Sequence, residues 1–265
     1  MRKLASLVLC LLFALGAFAG CGNNDGTTTT AATSSSQPSS GQPTTPAPSE
    51  KTDLVFAISS EPASLLAHAV DEFTAFTLDY QLYNRLIELT SAGEMVPSLA
   101  ESWTYNDTKD VITFKLREGV KFHNGDEMTS ADVEYSFNQA INNPVTANVT
   151  SLMKEMKAVD TYTCELHLQQ AFGPIESCLV NAQMSIVNKK ACEADPDAFG
   201  RNPIGTGPYQ FVQWDPGDKI VLKAYEEYWE GSPRIKDLTF KITLDLSAAL
   251  MAIESGEIHF SDTIA

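Results

Sequence analysis

Residues 96–125, VPSLAESWTYNDTKDVITFKLREGVKFHNG, contain the pattern that decides the fold class of this chain. Residues 103–105 and 111–116 are rich in aromatic and β-branched residues, and the polar residues 106–110 between them are typical of a turn. Alternate positions of the second segment are apolar: Ile112, Phe114 and Leu116. That period of two predicts a β-hairpin with one face against a core.

A helix and a further strand are predicted after this hairpin. Thr129 can cap a helix N-terminus, and Asp132 can answer that cap and suits the positive end of the helix dipole. The apolar stripe of this helix is formed by Val133, Phe137 and Ile141. Apolar and polar residues then alternate over 162–169, which predicts a strand with one buried face.

Upstream of the hairpin, the sequence predicts a strand followed by a helix. Residues 54–58 (LVFAI) form a short apolar run of the kind found in buried strands, and SSEP at 59–62 breaks it. From about Thr74, four leucines recur at spacings of four and three: Leu78, Leu82, Leu86 and Leu89. This spacing predicts one apolar helix face.

Downstream of the hairpin, three more strands and a helix are predicted. Residues 208–214 and 219–225 read as strands on either side of the turn signal DPGD. Residues 235–244 read as another strand, and 247–255 as a helix that Gly256 closes. The part of the chain from residue 51 onward is therefore expected to be a mixed α/β fold.

Residues 1–20 have the features of an export signal. Two basic residues (RK) precede an uncharged apolar run over 4–18, and the small residues AG come directly before Cys21. The tetrapeptide FAGC resembles the lipobox of bacterial lipoproteins, in which the cysteine is lipidated. Plain secretion with Cys21 free is the alternative interpretation. Two acyl chains are sufficient for stable membrane attachment, so we predict lipidation of Cys21.

The next segment, residues 21–50, predicts a flexible tether. It is rich in Ser, Thr, Pro and Gln and contains almost nothing that a core could bury. A mucin-like stalk has a similar composition, but this segment is too short to be the working part of the protein.

Charge and cysteine content exclude some classes of protein. The formal net charge is −16, with 34 acidic and 18 basic residues, and no basic face suited to nucleic acid is visible. Apart from Cys21 and the signal peptide, three cysteines remain: Cys164, Cys178 and Cys192. In an oxidising compartment these residues fit either one disulfide with one thiol or three buried thiols.

No catalytic or metal-binding motif is visible in the sequence. There is no G-x-S-x-G, H-E-x-x-H or C-x-x-C pattern, and GTG at 205–207 precedes a strand, which indicates a tight turn and not a phosphate loop. The four histidines lie far apart: His68, His123, His167 and His259. We therefore predict no enzymatic activity, no cofactor and no metal.

A series of spaced motifs resembles family 5 of the solute-binding proteins, which includes dipeptide-, oligopeptide- and nickel-binding proteins. The motifs are LYNRLIE at 82–88, VPSLAESW at 96–103, FKLREGVKFHNG at 114–125, SADV at 130–133, NPIGTGPY at 202–209, YW at 228–229 and SGEI at 255–258. The first of these is similar to the family's first helix. One such motif is weak evidence, but the whole series in this order is specific, and it identifies a scaffold and not a solute.

The resemblance implies a two-lobed α/β clamp of the type II periplasmic-binding-protein class, with mixed sheets and discontinuous lobes. It places residues 51–90 and 170–260 in the first lobe and residues 91–169 in a smaller inserted domain. Residues 261–265 then begin the crossover to a second lobe that is largely absent from this chain. The resemblance also implies that residues 51–265 alone are poorly stable and bind no peptide tightly.

The same resemblance implies a function and a site. The expected function is capture of peptides for an ABC importer at the extracytoplasmic face of the bacterial membrane, with permease subunits and a cytoplasmic ATPase as partners. A nickel or metallophore carrier and a peptide- or pheromone-sensing lipoprotein are the alternatives. The residues expected to contact the ligand lie in the connection after the first strand: Val70, Asp71, Glu72 and Phe73.

Overall fold

The computed structural model describes residues 52–262, so Cys21 and the segments predicted over 1–20 and 21–50 lie outside the described residues. The strands are β1 (Asp53–Ile58), β2 (Ile87–Leu89), β3 (Met95–Pro97), β4 (Ala100–Tyr105), β5 (Val111–Leu116), β6 (Met153–Asp160), β7 (Thr163–Leu168), β8 (Tyr209–Asp215), β9 (Lys219–Ala224), β10 (Asp237–Ile242) and β11 (Phe260–Ser261). The α-helices are α1 (Phe73–Leu82), α2 (Ser130–Ile141), α3 (Ala147–Thr150), α4 (Glu176–Leu179), α5 (Lys189–Ala194), α6 (Pro196–Arg201) and α7 (Leu246–Glu254). No helix within this described part is long and apolar enough to cross a membrane.

A four-stranded antiparallel sheet is built around residues 96–125. Its strand order is β4-β5-β7-β6, and Phe114 of β5 pairs with Trp103 on one side and Cys164 on the other. The predicted hairpin and the predicted strand over 162–169 are thereby confirmed. We call the buried side chains of this sheet and of the segments packed on it the four-stranded core, which includes Ile112, Phe114, Phe122, Phe137, Met156 and Leu166.

Helix α2 packs on this sheet and begins where the sequence predicts. One carboxylate oxygen of Asp132 accepts the backbone N–H of Thr129 at 2.9 Å and the Thr129 hydroxyl at 3.0 Å. The other oxygen accepts the backbone N–H of Lys189 at 3.1 Å. Asp132 therefore starts α2 and also fixes the beginning of α5.

A five-stranded mixed sheet has the order β11-β1-β10-β9-β8. Strand β1 lies between β10 and β11 and is parallel to both, whereas β8, β9 and β10 pair antiparallel. The predicted strands over 54–58, 208–214, 219–225 and 235–244 are confirmed, as is the helix closed by Gly256, whose φ is +78°. We call the buried side chains of this sheet and of α1 the five-stranded core, which includes Ile58, Leu78, Leu82, Ile220, Leu222 and Phe240.

The helix predicted from the four leucines is shorter than expected. It ends at Leu82, because Tyr83 has an extended backbone (φ −130°, ψ 156°) and its buried hydroxyl donates to the carbonyl of Leu65 at 2.7 Å. Leu86 lies outside the helix and Leu89 belongs to β2, which pairs with β3. The prediction of helix for Leu86, Leu89 and the motif at 82–88 was therefore wrong beyond Leu82.

Two glycines determine where α1 can end. The backbone N–H of Gly207 donates to the carbonyl of Leu82 at 3.0 Å, which satisfies an acceptor that the helix end leaves open. A Cβ on Gly207 would lie 2.5 Å from the carbonyl carbon of Leu82, and one on Gly205 would lie 2.0 Å from its oxygen. Any larger residue at these two positions would force the backbones apart, so close approach is the reason for GTG at 205–207.

Candidate functional site

The four residues predicted to contact a ligand lie together at the end of the connection between β1 and α1. Val70 is buried, with 7% of its surface exposed, whereas Asp71 is exposed and Glu72 is half-buried. Phe73 is the first residue of α1, and 74% of its surface is exposed. We call residues 69–74 the candidate loop. The chain passes within it from the interior to a surface that displays one carboxylate and one aromatic ring.

The helix side of the candidate loop is fixed by hydrogen bonds in the first turn of α1 and by hydrogen bonds to the start of the same connection. The Glu72 carboxylate accepts the backbone N–H of Ala63 at 3.1 Å, and the carbonyl of Glu72 accepts the N–H of Phe76 at 3.1 Å. The hydroxyls of Ser60 and Thr74 lie 2.7 Å apart and share a hydrogen bond. Because Glu72 already has a partner, Asp71 and Phe73 are the two side chains that the candidate loop leaves most open to a solute.

His68, which precedes the candidate loop, has a structural role that the sequence pattern did not predict. Its Nε2 lies 3.0 Å from the carbonyl oxygen of Ser185, and because a carbonyl only accepts, this nitrogen carries the proton. Burial lowers the pKa of His68 to about 4, although the hydrogen bond to Ser185 opposes that shift. The ring is therefore neutral at physiological pH and serves as a fixed donor.

A cavity of about 270 Å³ lies beside this part of the chain. His68 and Ala69 form one wall, and residues of α2 and the following turn, such as Tyr135 and Asn143, form another. None of the four predicted contact residues lines it. The cavity and the exposed face of the candidate loop are therefore separate features.

A buried acid on α1 was also missed by sequence reasoning. Asp79 is fully buried, and burial raises the pKa of its carboxyl well above the usual range, while the charge of Arg85 acts in the opposite direction. The guanidinium of Arg85 bonds to Glu88 and lies 4.4 Å from the ring centroid of Tyr80. The only signal in the sequence was an aspartate beside the leucines of an apolar helix face.

The histidines and cysteines are not arranged for catalysis within residues 52–262. His123 is held between Gly205 and Gly207, and His259 accepts the backbone N–H of Val55 at 2.9 Å. The three cysteines are free thiols, so the predicted alternative of one disulfide is not formed, but only Cys164 and Cys192 are buried and Cys178 is partly exposed. Burial raises the pKa of Cys164 to about 12. This described part of the chain contains no group of three or more His, Cys, Asp or Glu residues that could hold a metal ion.

Comparison with known proteins adds a family context to this geometry. The family model described as "Bacterial extracellular solute-binding proteins, family 5 Middle" matches residues 94–265. The dipeptide-binding protein of Escherichia coli K12 is 32% identical over 202 residues, a match that covers 66% of this chain and 38% of that protein. The oligopeptide-binding protein AppA of Bacillus subtilis is 26% identical over 269 residues, which cover 98% of this chain and 48% of AppA.

A solved structure gives the same result in three dimensions. The periplasmic binding protein DppA of Helicobacter pylori, in complex with the peptide STSA, superposes with a TM-score of 0.71 and 25% identity. The superposition covers 78% of this chain and 45% of DppA. This chain therefore spans less than half the length of each of these three proteins, since the two sequence matches cover 38% and 48% of their relatives.

Proposed function

We propose that this chain, which belongs to family 5 of the bacterial extracellular solute-binding proteins and has their type II periplasmic-binding-protein fold, captures di- or oligopeptides for an ABC importer. The family consists of substrate-binding proteins of transporters and not of enzymes. The observation that carries the choice of peptides is that a dipeptide-binding protein, an oligopeptide-binding protein and a peptide-bound DppA all match this chain. Delivery of the solute to permease subunits coupled to a cytoplasmic ATPase is part of the proposal.

The candidate loop is the part of this chain that we assign to solute contact. An aromatic ring with 74% of its surface exposed at a helix N-terminus has a large apolar area to bury against a side chain of a bound peptide. The exposed Asp71 beside it adds a negative charge that suits a cationic group. Solvent exclusion between two lobes strengthens both contacts.

Calorimetry with a mixed peptide library tests this assignment in protein expressed from its complete gene. Asp71→Ala and Phe73→Ala are each expected to weaken binding with little change in Tm. Val70→Ala and Glu72→Ala are expected to have smaller effects on affinity, because Val70 is buried and Glu72 bonds to the backbone of Ala63. Val159→Ala is the control, because Val159 is 55% exposed on β6, an edge strand of the four-stranded sheet. Unchanged affinity in all four variants would remove the candidate loop from the site, and binding of nickel without peptide would support the metal-carrier alternative.

We further propose that Cys21 is lipidated and anchors the protein to the extracytoplasmic face of the membrane. The basic pair, the apolar run over 4–18 and the sequence FAGC support this proposal. Wild-type protein is expected in the membrane fraction, and Cys21→Ala is expected to be released or to remain uncleaved. Cys10→Ala is the matched control because that cysteine lies inside the predicted signal peptide. Equal membrane attachment of wild type and Cys21→Ala contradicts the proposal.

The division into lobes also remains our proposal, with residues 91–169 as a smaller inserted domain and residues 51–90 and 170–260 as parts of the first lobe. It is supported by the origin of the two sheets. The four-stranded sheet uses one continuous run of chain, and the five-stranded sheet uses strands from both sides of that run. Limited proteolysis that releases residues 91–169 as one protected fragment is the expected result, whereas cleavage throughout this range contradicts it.

A further inference from the structure

We infer that Gln183 is a positioning residue that holds the candidate loop in the conformation that contacts the solute. The inference rests on the proposed function, because it concerns the same loop. Gln183 belongs to the short turn Ala182–Met184, and its side chain is fully buried. It is remote from the loop in sequence, and its link to the loop is made by tertiary structure alone.

The side-chain amide of Gln183 joins two separate segments. Its Nε2 donates to the carbonyl of Val70 at 3.1 Å and to the carbonyl of Val145 at 3.5 Å. Both partners are backbone acceptors, so the amide nitrogen and not the oxygen must face them. Gln183 therefore connects the buried end of the candidate loop to the turn that follows α2.

Two further hydrogen bonds act on the same short piece of backbone. The His68 ring donates to the carbonyl of Ser185 at 3.0 Å, and Asn143 Nδ2 donates to the carbonyl of His68 at 2.7 Å. The turn that carries Gln183 is itself closed, because the Asn181 side chain accepts the backbone N–H of Gln183 at 3.0 Å. The backbone from His68 to Val70 is thus held at both ends by long-range contacts.

Val70 is the point at which this support ends. The next residue, Asp71, is exposed, and Phe73 has 74% of its surface exposed. The exposed part of the candidate loop therefore spans the short distance between two fixed points, namely Val70 held by Gln183 and the first turn of α1. A loop fixed in this way loses little conformational entropy when a solute binds, so the affinity for the solute is higher than it would be for a mobile loop.

The test measures peptide affinity and amide hydrogen exchange for Gln183→Met in protein expressed from its complete gene. Methionine keeps the length and approximate volume of glutamine but cannot donate to the Val70 carbonyl. Peptide affinity is expected to fall about five- to tenfold, the factor that corresponds to one buried hydrogen bond, and mainly through a faster off-rate. Exchange at residues 71–74 is expected to accelerate while exchange in β5 and β7 stays unchanged.

Gln169→Met is the matched control. In the wild-type protein the side-chain amide of Gln169 also donates to two backbone carbonyls, those of Ser151 at 3.0 Å and Met153 at 3.4 Å, but these lie at the edge of the four-stranded sheet. This variant is expected to retain wild-type affinity. If Gln183→Met folds poorly, Asn143→Asp serves as the second variant, because it keeps an acceptor for the backbone N–H of Val145 and replaces the donor to the His68 carbonyl with a negatively charged oxygen.

A double-mutant cycle with Phe73→Ala separates positioning from a general structural role. If Gln183 acts through the candidate loop, Gln183→Met has little further effect on affinity once Phe73 is alanine. Full additivity, or unchanged exchange at 71–74, overturns the inference while leaving the proposed function intact. If Phe73→Ala and Asp71→Ala leave affinity unchanged, it is the assignment of the candidate loop to the solute site that fails, and the positioning role fails with it.

Discussion

The two sheets of this molecule are assembled from the chain in different ways. The four-stranded sheet is formed by residues 100–168, and each of its strand pairs is antiparallel. The five-stranded sheet places β1 between two later strands and pairs Asp53 with Asp237. Closing such a large loop costs entropy before any contact compensates it, so the difference between the sheets is one of contact order as well as of shape.

Asn84 lies in the chain between Tyr83, which belongs to the five-stranded core, and Leu86, which belongs to the four-stranded core. Asn84 accepts hydrogen bonds from Trp229 Nε1 at 3.2 Å and from the Thr206 hydroxyl at 3.3 Å, and it donates to the Tyr228 hydroxyl at 3.1 Å. His123, beyond β5, bonds to Gly205 and Gly207, just before β8. The two cores are therefore joined by apolar contact, since Ile204 packs against each of them, and also by directional hydrogen bonds that can be tested one by one.

Stability is expected to fall most when one large side chain is removed from the centre of either core. Phe114→Ala and Leu222→Ala are each expected to lower the free energy of unfolding by about 3–5 kcal/mol, because both side chains are fully buried. Hydrogen exchange should accelerate mainly in β4–β7 for the first variant and in β8–β10 for the second. Equal acceleration in both sheets for each variant would show that the cores open as one unit.

Acidification is expected to lower the free energy of unfolding through two buried histidines. Burial lowers the pKa of both His68 and His123 from 6.5 to about 4, so the folded protein resists protons that the unfolded chain accepts. Above pH 6.5 the two histidines are neutral in both the folded and the unfolded protein, so they do not affect the free energy of unfolding. As the pH falls from about 6.5 to about 4, the unfolded chain binds protons that the folded protein does not, and the free energy of unfolding decreases. His68→Gln keeps a donor for Ser185 but cannot be protonated.

Urea unfolding at several pH values measures this effect. Wild type is expected to lose about 3 kcal/mol more than His68→Gln over that range, as the size of the pKa shift implies. His167→Gln is the control, because His167 lies on β7 beside Glu165 and away from the contacts between the cores. Parallel stability curves for wild type and His68→Gln contradict the prediction.

A smaller effect is expected from the acid that starts α2. Asp132→Ala removes the acceptor for the backbone N–H groups of Thr129 and Lys189, and we expect a loss of about 2 kcal/mol in the free energy of unfolding. Asp107→Ala, at an exposed turn, should change stability by less than about 0.5 kcal/mol. Thermal melts of the two variants provide the measurement, and equal Tm values count against the role of Asp132.

The smallest effect concerns one hydrogen bond to Asn84. Trp229→Phe keeps most of the ring and removes the donor to Asn84, so we expect a loss of about 1 kcal/mol. Trp214→Phe is the comparison, since its indole N–H bonds to the exposed Glu61 at 2.8 Å and should matter less. If the two substitutions lower stability equally, the hydrogen bond between Trp229 and Asn84 has no special weight.

The sequence predicted the strands and their buried faces well because each strand carries its own period. The hairpin around residues 106–110 and the alternation over 162–169 are local patterns, and the capping pair Thr129 and Asp132 is only three residues apart. The end of α1 is different, since it depends on Gly207, which meets Leu82 only after folding. Helical spacing of leucines could not reveal that the backbone leaves the helix at Tyr83.

The candidate site shows the same limit. The position of the candidate loop came from family resemblance, because neither Val70 nor Phe73 belongs to a periodic pattern. Gln183 could not be found at all, since its partner Val70 is 113 residues away. A single glutamine among mostly apolar residues has no signal of its own, and its role depends on a backbone carbonyl that tertiary structure brings to it.

The position of β1 has a mechanical consequence. Force applied to the chain ahead of Asp53 enters the sheet through a strand that is flanked on both sides, by β10 and β11. A pull along that strand loads the parallel pairs from Asp53–Asp237 to Ile58–Ile242 together, in shear, and does not peel them apart one after another. Shear of this kind raises the barrier to forced unfolding, which governs the lifetime of a protein under load. A binding protein held at its N-terminal end would therefore carry tension through the part of its fold best arranged to resist it.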